Sequence, residues 1–431
     1  MSTPTKHIAF HTLGCKLNFS ETSVISKEFL KYGFEQVNYK ERADIYVLNT
    51  CSVTQNANKE ARKLIRQAKR KNPNSIIAVI GCYAQLKPRE ISNIKGVDII
   101  LGAEEKFNLI KYLDNIELNT KTKIFNSNIK NINKFVPSYS LGERTRTYLK
   151  VQDGCDYNCS FCTIPLARGI SRSNSIKKTL EVANTLAETK IREIVLTGVN
   201  IGDFGKVNNE TFLDLIIELD KIKKIDRFRI SSIEPNLINK NIIEFCSKSK
   251  KFMPHFHIPL QSGSNKILSK MKRRYNLDLY SERIKMIKTF IPDCCIGVDV
   301  IVGFPGETES DFLDTYNYLN NLPISYLHVF TYSERENTEA LKYSGVVSKN
   351  DRLKRSKMLH ILSEKKRRYF YREHINSERE VLFESTKNEK IIGHTDNYIK
   401  VEVLDDPKII NTIKSVKLLE MSGPNIKVKI V

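Results

Sequence analysis

The first 115 residues alternate between short apolar runs and longer segments in which apolar residues recur at helical spacing. Segments 20–31 and 56–71, and a third from about residue 87, have the spacing of helices. Near-continuous apolar strands that alternate with helices indicate a parallel sheet covered on its faces. The pattern therefore predicts an N-terminal α/β domain over 1–115, whose strands are HIAFHTL (7–13), DIYVLNT (44–50), SIIAVIGC (75–82) and VDIILG (97–102).

Residues 116–147 break this alternation, since they are rich in Asn and Lys and show weak periodicity. We interpret them as a linker or a long surface connection, with a further βα unit as the alternative. From 148 onward the alternation resumes. Six β/α units form either an open sheet or a partial barrel, and their spacing alone does not decide. The six candidate strands are YLKVQ (148–152), EIVLTG (193–198), RFRISS (227–232), HFHIPL (255–260), IGVDVIVG (296–303) and YLHVFT (326–331).

A basic helical segment over 341–372 follows and closes a predicted central domain over 148–372. The last residues change character again, to short strand-like runs separated by turn residues. This pattern predicts a small antiparallel β module over 373–431. Its strands are VLFESTK (381–387), KIIGHTDNYIKVEV (390–403), TIKSVKLLEM (412–421) and IKVKIV (426–431).

Composition narrows the class of protein. The 431 residues include 70 Lys+Arg and 49 Asp+Glu, a net charge of +21, which favours an anionic partner. With 40% hydrophobic residues the chain is not a disordered basic tail. We find no run of about 18 apolar residues and no pattern of a signal peptide at the N-terminus, so we expect no membrane span and a cytoplasmic location.

Nine cysteines are an odd number, and in a reducing cytosol a disulfide framework is not expected. Cys155, Cys159 and Cys162 form a C-x3-C-x2-C motif directly after the strand 148–152. Three thiolates this close can hold one face of an iron–sulfur cluster and leave one iron open to a ligand. A zinc site is the alternative, but zinc requires four ligands and no nearby His or Cys supplies the fourth.

Cys15, Cys51 and Cys82 are far apart in sequence, yet each comes at the end of a predicted strand. The carboxyl ends of parallel strands share one edge of a sheet, so these three cysteines could meet in space. The alternative is three unrelated buried cysteines, a common environment for free thiols. Cys246, Cys294 and Cys295 are interpreted as buried packing residues.

Several longer motifs, in the same order along essentially the whole chain, resemble the methylthiotransferases. These are radical S-adenosylmethionine (SAM) enzymes with an N-terminal three-cysteine domain and a C-terminal TRAM domain. The resemblance implies an N-terminal parallel α/β domain, a partial (β/α)6 radical-SAM barrel and a small TRAM β-barrel. The motifs are LGCKLN (13–18), NTCSVT (49–54), GCYAQ (81–85), QDGCDYNCSFCTIPLARG (152–169), PHFHIPLQSGS (254–264), DVIVGFPGETE (299–309) and TYSERENTEA (331–340).

In this family, Cys155, Cys159 and Cys162 would hold a [4Fe–4S] cluster whose open iron binds SAM. Cys15, Cys51 and Cys82 would hold a second [4Fe–4S] cluster, the implied donor or carrier of the inserted sulfur. A flavodoxin or ferredoxin would supply electrons, and the sulfur source is unidentified. One departure is Asn337, where the family pattern leads us to expect Gly, but Asn tolerates the same left-handed backbone.

The first three motifs are most similar to the MtaB-type branch, which adds a methylthio group to C2 of N6-threonylcarbamoyladenosine beside the tRNA anticodon. The alternatives are the same chemistry on N6-isopentenyladenosine or on a ribosomal protein. A non-catalytic iron–sulfur protein that binds RNA is a further alternative.

Candidate SAM contacts lie at predicted strand ends, although each could be an ordinary βα turn. They are Thr197, Gly198, Ser232, Glu234, Gln261, Ser262 and Gly303.

Candidate tRNA contacts fall at two places near the C-terminus. The TRAM resemblance suggests that Thr395, Asn397 and Tyr398 face RNA and that Tyr398 stacks on a base, with a core aromatic as the alternative. The basic run Lys365, Lys366, Arg367 and Arg368 would neutralise phosphates. A second basic helix, 58–71, adds to the positive surface.

Overall fold

A computed structural model of the chain describes residues 6–51, 55–113, 121–140, 145–404 and 406–431. The chain divides into two compact units. The first comprises Met1–Leu141, Tyr148–Tyr157 and Cys162–Arg172, and the second comprises Gly142–Thr147, Asn158–Phe161 and Ser173–Val431. The domain boundaries drawn from the sequence remain predictions.

The first unit contains a six-stranded parallel sheet. Its strands follow the order β2-β1-β3-β4-β5-β6. The four apolar runs predicted as strands are confirmed as β1, β3, β4 and β5. The strands are β1 (His7–Thr12), β2 (Glu35–Val37), β3 (Ile45–Thr50), β4 (Ile76–Gly81), β5 (Ile99–Leu101) and β6 (Lys123–Phe125).

Strand β6 corrects part of the linker interpretation. Lys123–Phe125 lies inside the segment 116–147 but pairs with β5, so this part of the chain belongs to the sheet. The strand is only three residues long and none of its side chains is fully buried, since it lies at the sheet edge. Residues 116–120 and 141–144 of the same region lie outside the described residues.

Helices of the first unit are α1 (Lys16–Lys31), α2 (Gln55–Lys71), α3 (Cys82–Leu86), α4 (Pro88–Ser92) and α5 (Leu109–Leu113). Helix α2 buries Ala61, Ile65 and Ala68 at helical spacing in a cluster with residues of β3 and β4. Its other face is basic. The chain then forms β7 (Ser138–Tyr139), β8 (Arg146–Lys150), β9 (Gln152–Asp153), α6 (Ile164–Arg168) and β10 (Arg172–Ser173).

The second unit has two sets of parallel strands, β11-β12 and β13-β14-β15. Bridges from Phe228 to Phe252 and from Ser232 to His257 connect β12 with the segment of β13. The strands are β11 (Glu193–Thr197), β12 (Arg227–Ile230), β13 (His255–His257), β14 (Cys295–Val302) and β15 (Tyr326–Thr331). The helices are α7 (Ile176–Ala187), α8 (Phe212–Asp220), α9 (Lys240–Lys248), α10 (Asn265–Lys270), α11 (Leu277–Phe290), α12 (Glu309–Asn321) and α13 (Lys349–Glu373).

The C-terminal residues form a closed five-stranded barrel in the order β16-β17-β18-β20-β19. The predicted strand 390–403 is two strands, because residues around Tyr398 turn with a φ of +69°. One pair, β18 with β20, is parallel, so the barrel is not wholly antiparallel as predicted. The strands are β16 (Glu378–Lys387), β17 (Lys390–Thr395), β18 (Lys400–Leu404), β19 (Ile413–Ser422) and β20 (Asn425–Ile430).

Asn337 has a φ of +64°, which confirms the left-handed backbone expected there. Cys246, Cys294 and Cys295 are buried, as predicted. Among the described residues, no helix is long and apolar enough to cross a membrane.

Candidate functional site

Cys15, Cys51 and Cys82 follow three neighbouring strands of the sheet in the first unit. Cys15 directly precedes α1, Cys51 follows β3, and Cys82 begins α3 after β4. A Cβ placed on Gly14 would lie 2.6 Å from the Cβ of Cys51, so the loop after β1 packs on the end of β3. Gly14 has a φ of +97°, a conformation that glycine adopts without strain.

The Asn18 side chain connects the loops further. Its amide donates to the backbone oxygens of Leu13, at 2.9 Å, and Thr50, at 3.1 Å. These two carbonyls lie just before Cys15, which follows β1, and just before Cys51, which follows β3. Cys15 lies close enough to Cys82 to raise the pKa of the Cys82 thiol. Both thiols also lie close enough to Arg168 to raise the pKa of its guanidinium. The structure therefore gathers the three cysteine loops at one edge of the sheet.

A buried ionic group lies beside these loops, within the same unit. Arg168 donates to Glu21 at 3.1 Å and to Asp153 at 2.9 Å. Lys106 lies 2.7 Å from Glu21, and Lys150 lies 3.3 Å from the same carboxylate. We call the set the ionic group, and its members are Glu21, Lys106, Lys150, Asp153, Arg168 and Arg172.

The ionic group contains four cations and two carboxylates, all buried. Burial alone would raise the pKa of Glu21, but Arg168, Lys106 and Lys150 outweigh it and hold the pKa well below its usual value. Arg168, Lys150 and Arg172 likewise outweigh burial and hold the pKa of Asp153 well below its usual value, so both carboxylates are ionised. By formal charge, the group has a surplus of two positive charges, although burial lowers the pKa of Lys106. Buried charge of one sign is costly unless an opposite charge compensates it.

The surplus acts on the neighbouring thiols. Burial raises the pKa of Cys82, whereas the charges of Arg168 and Lys106 oppose that rise. A thiol must lose its proton to bind a metal, and nearby cations favour the thiolate. The edge of the sheet is thus suited to an anionic ligand held by sulfur.

The cysteines of the C-x3-C-x2-C motif receive hydrogen bonds at sulfur. In the first unit, the amide of Tyr157 donates to Cys155 and that of Ile164 donates to Cys162, both at 3.4 Å. In the second unit, the Arg273 guanidinium donates to Cys159 at 3.0 Å. Burial raises the pKa of Cys159, and the charge of Arg273 opposes the rise. Donors of this kind stabilise negative charge on sulfur.

Arg273 also pairs with Glu234 after β12, and its guanidinium lies 5.0 Å from the ring centre of Tyr275. Burial raises the pKa of Glu234, opposed by Arg273 and reinforced by Asp299 and Asp203. Glu234 therefore binds a proton more readily than an exposed carboxyl. Arg273 is a residue that the sequence analysis missed.

The predicted SAM contacts occupy the carboxyl ends of successive strands. Thr197 ends β11 and Gly198 follows it, while Ser232 and Glu234 follow β12. Gln261 lies past β13 with a φ of +72°, and its amide donates to the backbone oxygen of Asp299 at 2.8 Å. These are the positions at which parallel α/β folds place ligands.

Two predicted SAM contacts instead have close protein partners. The Ser262 hydroxyl lies 3.3 Å from that of Thr315 on α12. Gly303 has a φ of +76°, and a Cβ on it would lie 2.3 Å from the side chain of Arg352. Both positions fix helices against the strands.

The basic run on α13 is divided between packing and solvent. Lys366 donates to the backbone oxygens of Asn320 and Leu322, both at 2.6 Å, so it ties α13 to the end of α12. Arg367 lies 2.6 Å from Glu364. Lys365 and Arg368 are exposed and line a surface groove of about 700 Å³ that Arg372 extends.

The structure contradicts the predicted RNA-facing position of Thr395 and Asn397, whereas Tyr398 is half-buried. Thr395 and Asn397 are fully buried, and their side chains bond to each other at 2.6 Å. The ring of Tyr398 lies 4.3 Å from that of His255 and 4.8 Å from the guanidinium of Arg229. These residues attach the small barrel to the first residues of the parallel strands, because their turn packs onto β12 and β13.

The members of the ionic group were also missed by the sequence analysis. Arg168 and Asp153 lie within the motif 152–169, so the sequence marked the segment, but nothing in it indicated that these two side chains form buried ion pairs. Glu21, Lys106 and Lys150 have no such signal, since single charged residues on helices and strands are common at surfaces.

Comparisons with known families match two parts of the chain. Residues 7–102 match an uncharacterized protein family named UPF0004, and residues 149–319 match the radical SAM superfamily. Among solved structures, a radical SAM methyltransferase, TsrM from Kitasatospora setae with cobalamin and a [4Fe–4S] cluster bound, has a TM-score of 0.57 at 13% identity. It covers 78% of this chain and 77% of its own. That likeness concerns the fold.

Curated relatives are similar over almost the full length. The threonylcarbamoyladenosine tRNA methylthiotransferase MtaB of Bacillus subtilis is 39% identical over 428 residues, 97% of this chain and 94% of the relative. The MtaB of Aquifex aeolicus is 37% identical over 92% of this chain and 96% of the relative. A tRNA-2-methylthio-N(6)-dimethylallyladenosine synthase of Clostridium botulinum is 31% identical over 96% of this chain and 94% of the relative.

Proposed function

This chain belongs to the radical SAM methylthiotransferase family, and from that premise we propose that it adds a methylthio group to C2 of N6-threonylcarbamoyladenosine in tRNA. The observation that carries the substrate is the pattern of identity. Four relatives named for threonylcarbamoyladenosine are 32–39% identical, three of them at 36–39%, whereas four named for dimethylallyladenosine are 31–32% identical.

Cys155, Cys159 and Cys162 are the residues that would hold the [4Fe–4S] cluster of the radical SAM domain. When bound, this cluster would supply the electron for reductive cleavage of SAM, the chemistry that removal of the unactivated hydrogen at C2 of the adenine requires. The chain's own part is to hold the sulfurs and to donate hydrogen bonds to them. Hydrogen bonds to cluster sulfurs tune the reduction potential, and Arg273 adds a positive charge beside Cys159.

Cys15, Cys51 and Cys82 would hold a second [4Fe–4S] cluster that supplies sulfur. The surplus charge of the ionic group supports this proposal, since a cluster bound by three thiolates is anionic. Lys106 and Arg168 already act electrostatically on Cys82. The buried cations would be compensated once the anionic cluster is bound.

SAM would contact the strand ends through Thr197, Gly198, Ser232, Glu234 and Gln261. Their common location at the carboxyl ends of parallel strands supports this role. Ser262 and Gly303 would support the site from behind, through Thr315 and Arg352.

The tRNA would bind exposed cations, with Lys365 and Arg368 on α13 as the predicted residues that are exposed to solvent; Arg368 lies 4.0 Å from Glu364 on the same helix. Helix α2 offers a second basic surface, a groove of about 860 Å³ whose lining includes Arg66, Arg70 and Lys95. A flavodoxin or ferredoxin would donate electrons, and a separate sulfur donor would renew the sulfur.

The test of the substrate is mass analysis of tRNA nucleosides from a host that lacks this gene, with and without the gene restored. We expect methylthio-threonylcarbamoyladenosine only on restoration. Appearance of methylthio-isopentenyladenosine instead would retain the chemistry and refute the substrate. No change in either nucleoside would refute the tRNA reaction.

The second cluster has its own test. Iron content after anaerobic reconstitution should fall by about half in Cys51→Ala, with 5′-deoxyadenosine still formed from SAM. Cys246→Ala, a buried cysteine outside both sets, is the matched control and should keep its iron. Equal iron in the two variants would remove Cys51 from metal binding.

A further inference from the structure

Strands β13, β14 and β15 form a parallel three-stranded sheet whose side chains alternate between two faces. Phe256, Val298 and Val300 are fully buried on one face. In register, Gly297 pairs with His257, and Asp299 pairs with His328. His257, Asp299 and His328 therefore share the opposite face.

These three side chains converge. One ring nitrogen of each histidine and one carboxylate oxygen of Asp299 all lie within 4.8 Å of one another. His257 Nε2 is 2.7 Å from Asp299 Oδ1. The rings of His257 and His328 have centroids 5.2 Å apart at 64°. None of the three belongs to the cysteine sites.

Aromatic side chains lie on the same face as these three polar side chains. Phe330, on the same face of β15 as His328, is 42% exposed, although its type favours burial. Tyr326 packs edge-on to His328, with centroids 5.2 Å apart. Apolar and aromatic walls around a few convergent polar groups are typical of small-molecule sites.

The three side chains lie beside proposed SAM contacts of the second unit. Ser232 forms a β-bridge with His257, and the backbone amide of Gln261 donates to the backbone oxygen of Asp299 at 2.8 Å. A ligand on His257, Asp299 and His328 would therefore lie beside two of the residues proposed to contact SAM.

We propose that His257, Asp299 and His328 bind the target base, an adenine with an acylated N6 nitrogen, and orient its C2 for hydrogen abstraction. This inference rests on the proposed function and deepens it. The carboxylate oxygens of Asp299 can accept hydrogen bonds, which matches the N–H groups of the acylated edge. His257, held by Asp299, presents a fixed imidazole, and exposed His328 can stack on the base.

The first test uses Asp299→Asn in the cluster-reconstituted full chain, which keeps the shape but removes the charge and adds a donor. We expect methylthio product per 5′-deoxyadenosine to fall by roughly 5- to 150-fold, the range of one good base contact. SAM cleavage itself should persist, which a misfolded variant would not allow. Asp314→Asn, an exposed aspartate on α12, is the matched control and should keep the ratio.

The second test is binding and does not depend on turnover. Wild-type enzyme should bind an anticodon stem-loop that carries threonylcarbamoyladenosine more tightly than the same RNA with unmodified adenosine. Asp299→Asn and His328→Ala should lose this preference while affinity for the unmodified RNA stays the same.

Three outcomes would overturn the inference. The preference could survive in both variants, or be absent in wild type. Elemental analysis could also find a divalent metal other than iron in wild type that is absent from His328→Ala, which would make His257, Asp299 and His328 a metal site. Failure of the proposed function is distinguishable, since wild type would then form no methylthio product on either RNA.

Discussion

Glu21→Gln tests the ionic group most directly. The substitution keeps the size of the side chain but removes a buried carboxylate that lies 2.7 Å from Lys106 and 3.3 Å from Lys150, and that also pairs with Arg168. The buried surplus would rise from two positive charges to three. Removing one partner of a buried ion pair costs about 3–5 kcal/mol, and three cations share this carboxylate, so we expect about 4 kcal/mol.

The assay is hydrogen exchange of the cluster-free protein at pH 7, followed by mass spectrometry of peptides from α1. Exchange reports local opening and does not require both units to unfold in one step. A loss of about 4 kcal/mol corresponds to exchange faster by about a thousandfold. Glu28→Gln, a partly exposed glutamate on the same helix, is the control and should change stability by less than about 0.5 kcal/mol.

The charge surplus predicts the opposite result for Lys106→Met. This substitution removes one excess cation and adds an apolar side chain, so the cluster-free protein should be as stable as wild type or more stable. The reconstituted variant should lose iron faster than wild type, because less positive charge faces the cysteine loops. Two results would refute the role assigned to the ionic group. One is a hydrogen-exchange rate in Glu21→Gln equal to that of its control, and the other is a rate of iron loss in Lys106→Met equal to that of wild type.

Three further predictions concern the second unit. Burial alone would raise the pKa of Glu193, but Arg229 outweighs it and lowers the pKa to about 2, from an ordinary 4.5. This pair therefore contributes about 3 kcal/mol of stability, which is complete above pH 4.5 and is lost as the pH falls toward 2. In denaturant titrations between these pH values, the free energies of unfolding of wild type and Glu193→Gln should become equal at the acid end. Replacing Lys365 and Arg368 together with Ala should weaken tRNA binding and reduce the slope of log affinity against log salt by about 2, and an unchanged slope would locate the phosphates elsewhere. Tyr398→Ala should lower the thermal midpoint while RNA affinity measured below it stays within about twofold, whereas loss of a stacked base would cost 1–3 kcal/mol, roughly 5- to 150-fold.

The hydrophobic pattern was sufficient for the elements that are buried on both faces. Strands β3, β4 and β14 are long apolar runs, and each of their bounds in the structure differs from the predicted one by at most one residue. Strand β6 has only three residues, so periodicity could not separate it from a connection. The turn at Tyr398 interrupts an otherwise continuous strand pattern, and only a left-handed backbone at that residue reveals it.

In the site, too, features set by local sequence could be predicted, whereas contacts set by tertiary packing could not. A cysteine at the end of a buried strand can be placed from sequence, since strand ends of a parallel sheet share an edge. The partners of that cysteine cannot, because Glu21 and Arg168 are separated by 147 positions and look like ordinary surface charges. The same reason made Thr395 and Asn397 misleading: a motif shows that a β-barrel is present but not which face it buries. The grouping of His257, Asp299 and His328 on one face follows from the pairing of their strands. Two of these residues, His257 and Asp299, lie inside recognised motifs. Motifs that mark a family therefore contain binding residues that only the pairing of strands can group into a site.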